Sequence, residues 1–168
     1  MVDMVFLILL VVHITTIVAW LGGAVLFVSV VSPSLRNMSP TARGEFITSA
    51  LPRYFRFVTA SSITAIVAGL LLYAYITQAA TSLAPSGSGL ISIQIGIVLG
   101  LVALIVLFGV AMPAGRKLVS LTKEMAKTPD AKMSGHAANL QKRIVMGGRL
   151  GVALLTLTLI LMVVGAEI

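Results

Sequence analysis

Residues 4–32 read MVFLILLVVHITTIVAWLGGAVLFVSVVS, a stretch without a single Lys, Arg, Asp or Glu. About 20 apolar residues suffice to cross the hydrocarbon core of a bilayer as a helix. This stretch exceeds that length, and it holds one ionisable side chain well inside, His13. Three further apolar stretches, at about 55–78, 90–112 and 144–166, have no charge in their central part, with Arg56 and Arg149 near the ends of the first and last of these. The chain of 168 residues is 58% hydrophobic and only 10% charged, with a mean hydropathy of +1.09. A soluble domain carries about 25% charged residues, so lipid is the solvent this composition requires. The expected fold is all-α, a single four-transmembrane-helix bundle with short cytoplasmic helical segments.

Charge orients the bundle. All 12 Lys and Arg residues fall within 36–56 and 116–149, although the net charge is +7. Cations confined to alternate connections mark the cytoplasmic side. They are not the basic patch on a folded polar module that nucleic-acid binding requires. Loops 33–54 and 113–143 are therefore expected in the cytoplasm, and both termini outside. Residues 81–89 (TSLAPSGSG) read as an uncharged external turn. A plasma (inner) membrane location follows. Asp3 stands where a signal peptide would have cations, so the first apolar run is expected to be a retained span.

Both basic connections carry helix signals. Ser39-Pro40 offers an N-cap followed by proline at the first helical position. Phe46, Ile47, Ala50 and Leu51 then share a side, and Pro52 is expected to end that helix. Arg53-Tyr54-Phe55-Arg56-Phe57 follows as a basic and aromatic anchor for the second span. In the other connection, residues 115–126 extend the third span with Leu118, Leu121 and Met125 on one face. Thr128-Pro129-Asp130 restarts a helix that runs into the fourth. No internal repeat is evident.

Helices in lipid associate through close approach at small residues. Ser92, Gly96 and Gly100 supply such a strip on the third span, and Gly147 and Gly151 on the fourth. Ser62, Ala65 and Gly69 do so on the second, Gly22-Gly23-Ala24 on the first. These strips serve the bundle itself or a neighbouring membrane subunit.

Few residues carry chemistry. An ionisable group inside a span is a functional candidate because burying it without a partner is costly. His13 lies roughly 15 Å below the outer surface at 1.5 Å of rise per residue, sharing a face with Thr16, Trp20, Ala24 and Phe27. It is either a neutral imidazole bonded to a hydroxyl or carbonyl across the bundle, or a ligand for copper or haem b. Trp20 falls near mid-membrane, as packed core or against a cofactor ring. Met4 and Met162 fall toward the same end as His13, and thioether with imidazole suits Cu(I) by softness. His136 belongs to the opposite side. The chain has no cysteine, no intramembrane carboxylate for an ion relay, no phosphate loop and no nucleophile–base pair, so no residue is assigned a catalytic role.

His13, then Trp20-Leu21-Gly22-Gly23, Pro33, Arg53-x-Phe55-Arg56-Phe57 and Gly69 resemble the opening of the copper-resistance D-type membrane domain family. Lys142, Arg143 and Arg149, entering the last span, also fit. The resemblance implies a four-helix membrane domain associated with copper handling, or with haem in distantly similar proteins. The leading expectation is a non-catalytic accessory subunit of a larger membrane complex, copper-dependent or respiratory, that packs against itself or other subunits. Copper handling through His13 and haem-b binding with His13 as axial ligand are the alternatives.

Overall fold

The computed structural model describes residues 3–78, 87–128 and 131–167, all but a few of them helical. Four helices are long and apolar enough to cross a membrane: Met4–Arg36, Pro40–Gln78, Gly87–Met125 and Lys132–Ala166. The protein is a multi-pass membrane protein built as an all-α four-helix bundle. The turn expected at 81–89 lies largely outside the described residues, as do Pro129 and Asp130. At 39 residues the second helix is about 58 Å long, well beyond the hydrocarbon core, so the helices run on past the apolar spans at the basic end.

Local chemistry explains where each helix starts and bends. Asp3 caps the first helix, accepting from the Val5 N–H at 2.9 Å. Its other oxygen accepts from the Tyr75 hydroxyl, tying the start of the first helix to the end of the second. These two bonds hold the Asp3 carboxyl below its ordinary value. Ser39 caps the second helix through the Ala42 N–H, with Pro40 at the first position, as the sequence indicates. Arg43 then reaches back to the carbonyls of Arg36 and Met38 and closes the first connection.

The prolines act differently from their expected role. Pro52 does not end a helix; it stands inside the continuous helix Pro40–Gln78. Ile47 and Leu51 before it and Phe55 and Val58 after it are all buried. That packing offsets the roughly 3 kcal/mol that an interior proline costs. Nor do Tyr54 and Phe55 face the headgroups. Tyr54 stacks on Phe27 at 4.7 Å between centroids, and Phe55 is buried; Arg53, Arg56 and Phe57 stay exposed. Pro33 and Pro113 each follow a π-helical turn, Phe27–Val31 and Leu107–Ala111. A proline ring excludes the carbonyl four residues earlier. The widened turn accommodates this: Ser32 N–H bonds to the Phe27 carbonyl, and Met112 N–H to that of Leu107.

These paired turns expose an internal repeat that the sequence hides. One register lays Pro33 on Pro113, Arg36 on Arg116 and π turn on π turn. In that register buried Trp20, Ser32 and Leu35 match buried Gly100, Met112 and Gly115. A second register matches Ile47, Leu51, Ser62, Ala65 and Leu72 with Leu140, Ile144, Leu155, Thr158 and Gly165, every one of them buried. The two helical hairpins run in the same direction and share the placement of their π turns and of several buried positions. The first helix packs mainly on the second, and the third on the fourth.

The hairpins meet unevenly. At the basic end one buried cluster draws on all four helices, including Phe27, Leu51, Phe55, Met112, Leu118 and Ile144. Near mid-membrane a smaller cluster joins Trp20, Val58, Ala65, Ala103 and Leu155. Beyond it, toward the cation-free end, no further buried cluster spans the hairpins among the described residues. The tightest contact is at the basic end, where the Phe55 ring occupies the place a Cβ on Gly115 would take. Gly115→Ala should therefore destabilise the bundle by about 1–3 kcal/mol. Gly22→Ala, with open space around it, should be neutral or gain up to about 1 kcal/mol from helix propensity. Thermal unfolding of both variants in detergent checks the contrast.

Candidate functional site

His13 is half-buried, and its Nδ1 lies 2.8 Å from the Ala65 carbonyl of the second helix. A carbonyl only accepts, so Nδ1 carries the proton. In the neutral ring Nε2 is then a bare lone pair. No partner for Nε2 occurs among the described residues. Of the two arrangements open to His13 at the sequence level, the cross-bundle bond to a carbonyl is present, and it leaves the second nitrogen free for a ligand. The ring lies against Gly69, where a Cβ would stand 2.5 Å from Cε1 and 2.9 Å from Nδ1. Glycine is required here by close approach.

The fourth helix repeats the device with roles exchanged. Met162, which matches Gly69 in the repeat, packs on Gly96 of the third helix, with its Cγ 3.1 Å from where a Cβ would be. His13 and Met162 thus come from opposite hairpins to one place. Between them lies a cavity of about 410 Å³, lined almost wholly by apolar side chains. Its wall on the second and third helices is sheltered, with Leu72, Tyr73, Ile93 and Ile97. Its edges on the first and fourth helices, Ile14, Val18, Leu159 and Val163, are exposed. The cavity therefore opens sideways to lipid between those two helices. The Tyr73 hydroxyl on its wall accepts from the Gln94 amide at 2.8 Å, joining the hairpins.

A deeper recess of about 30 Å³ shares His13, Gly69 and Met162 with the cavity and extends to Trp20 and Thr158. A hydroxyl buried in a helix ordinarily bonds a carbonyl one turn back. Thr158 is 4% exposed, and its Oγ1 has no partner. An unpaired buried hydroxyl costs about 1–3 kcal/mol, a cost that an occupant of the recess would remove. The recess is also roomy enough for a water molecule. In the sequence Thr158 is one of two hydroxyls, with Thr156, in an otherwise aliphatic run, and nothing there singles it out. Trp20, 4% exposed, is packed core and recess wall together.

The remaining sequence candidates separate. Met4 is 71% exposed and does not line the cavity, so it is not brought to His13 and Met162. His136 lies at the basic end, in a different groove. Among the described residues no three His, Asp or Glu side chains gather as a metal cluster. The small-residue strips are spent largely inside the bundle. Gly96 meets Met162, Gly147 meets Ala111, and Gly100 meets Ile66 and Thr158. A Cβ added at Gly22 or Gly151 would meet nothing within 4 Å.

Compared with protein families, with curated proteins and with solved structures, the chain finds no match. The site is thus defined by its own geometry.

Gly69→Ala should push the His13 ring off Ala65 and lower thermal stability by about 1–2 kcal/mol. Adding His13→Ala in the same chain should recover part of that loss, a coupling read by a double-mutant cycle. A Gly69→Ala cost that does not depend on residue 13 contradicts this packing.

Proposed function

We propose that this protein is a non-catalytic membrane subunit that binds a neutral, lipid-soluble molecule carrying one hydroxyl or phenol group. The observation that carries the proposal is the His13–Ala65 bond, which fixes the imidazole at the wall of an apolar cavity open to the bilayer and leaves Nε2 unbonded among the described residues. Small-molecule sites are apolar hollows of about 300–1,000 Å³ with a few convergent polar groups, and the cavity of about 410 Å³ falls in that range. A guest's O–H donates to Nε2, its apolar body fills the space along Leu72 and Ile93, and entry is from lipid between the first and fourth helices. The positive-inside pattern puts the basic end in the cytoplasm of a plasma (inner) membrane, with both termini and the cavity toward the outside.

A second reading rests on a separate observation, the arrival of Met162 in the same cavity. Imidazole Nε2 and thioether sulfur are soft donors suited to Cu(I). A ring nitrogen held by a backbone carbonyl is also the usual outer-shell arrangement of a metal-binding histidine. This agrees with the resemblance to the copper-resistance D-type family. Haem b fits this cavity poorly. Its carboxylates call for cations, and every Lys and Arg lies within 36–56 and 116–149, at the far end of the bundle.

The chain's single tryptophan, Trp20, lines the recess and reports occupancy directly. A brominated alkylphenol should quench Trp20 fluorescence saturably, and its methyl ether, which cannot donate, should bind about tenfold more weakly, the worth of roughly 1.4 kcal/mol. His13→Ala should erase the difference. Equal, unsaturable quenching by both compounds ends the proposal. Cu(I) retained at one per chain and lost in both His13→Ala and Met162→Leu would establish the second reading.

A further inference from the structure

The basic end carries a second hollow, unrelated to His13. It lies between the third and fourth helices beside the π turn and encloses about 690 Å³. Its two halves differ in chemistry. Val110, Pro113 and Met146 form an exposed apolar flank. Above it stand Lys117, Lys142 and Arg143, also exposed. No acidic side chain lines the hollow, and none of these three cations has an ion pair among the described residues. Gly109 helps to open the space, since a Cβ there would meet nothing within 4 Å.

The repeat shows that these charges are particular to this hollow. In the two registers that align the hairpins, Lys117, Lys142 and Arg143 fall on Asn37, Ser49 and Ala50. The matching groove of the other hairpin has the same π turn but carries Arg43 and Arg53 instead, at the places of His136 and Met146.

We propose that this hollow is a binding site for the headgroup of an anionic phospholipid. Its phosphate is held by Lys117, Lys142 and Arg143, and its acyl chains lie along Val110 and Met146. An amphiphile is required because the apolar and cationic halves are contiguous at the height where the span gives way to charged helix. Basic pockets between membrane helices take anionic headgroups for the same reason, with each Lys or Arg near the surface worth about 1 kcal/mol.

Native mass spectrometry of the full chain in detergent tests the site, with phosphatidylglycerol and phosphatidylcholine as probes. The wild type should retain phosphatidylglycerol about a hundredfold better than Lys117→Gln/Lys142→Gln/Arg143→Gln, and phosphatidylcholine equally weakly in both. Gly109→Leu fills the groove while keeping every charge, and it should also lose phosphatidylglycerol. Arg53→Gln/Arg56→Gln removes two exposed cations outside the hollow and should change nothing. Equal retention by the triple variant, or an equal loss in the Arg53/Arg56 variant, overturns the proposal. Displacement of the lipid by millimolar inorganic phosphate would show a free-phosphate site and overturn it as well.

Discussion

In lipid, helices gain little from hiding apolar surface, so this bundle depends on places where a missing side chain lets another enter. Phe55 entering the space beside Gly115 is the strongest of these. With the Leu51, Leu118 and Ile144 cluster, it fastens the hairpins at the basic end. Two hairpins fastened at one end and joined sparsely at the other leave a seam, and the seam is the cavity. His13 and Met162 lie there because each is the knob of its own hairpin, seated on a glycine of the helix beside it.

The four spans, the sequestered charge and the Ser39-Pro40 cap were legible in the sequence because each depends on a local pattern. So was the use of Gly96 and Gly100 as a packing strip. The repeat was not. Apart from Pro33 with Pro113 and Arg36 with Arg116, its equivalent positions share burial rather than residue type, Trp20 against Gly100 and Gly69 against Met162, so the sequence conceals it. Pro52 was misread as a stop because local propensity favours a break there, whereas tertiary burial on both sides of it carries the helix through. The π turns were equally invisible, being a response to Pro33 and Pro113 within helices too apolar to end.

The candidate site was half legible. An imidazole stranded in an apolar span announces itself, and a bond to a carbonyl across the bundle was one of its two expected arrangements. Which methionine accompanies it depends on helix rotation, and that favours Met162 over Met4. Thr158 escaped notice because a threonine in a helix normally satisfies its own hydroxyl, and only the structure shows that this one does not. The two ends of the molecule also emerge as chemically opposite. One has an apolar hollow with an imidazole and, among the described residues, an unpaired hydroxyl; the other has an open groove with three cations that meet no carboxylate among the described residues.

The site turns on the proton of one ring. Nitrogen-15 NMR of protein with labelled histidine in bilayers reads it directly, with His13→Ala assigning the signal. A neutral His13 with Nδ1 protonated and Nε2 bare is the predicted state. A ring protonated at Nε2, or an imidazolium at neutral pH, would contradict the fixed lone pair and the site built around it.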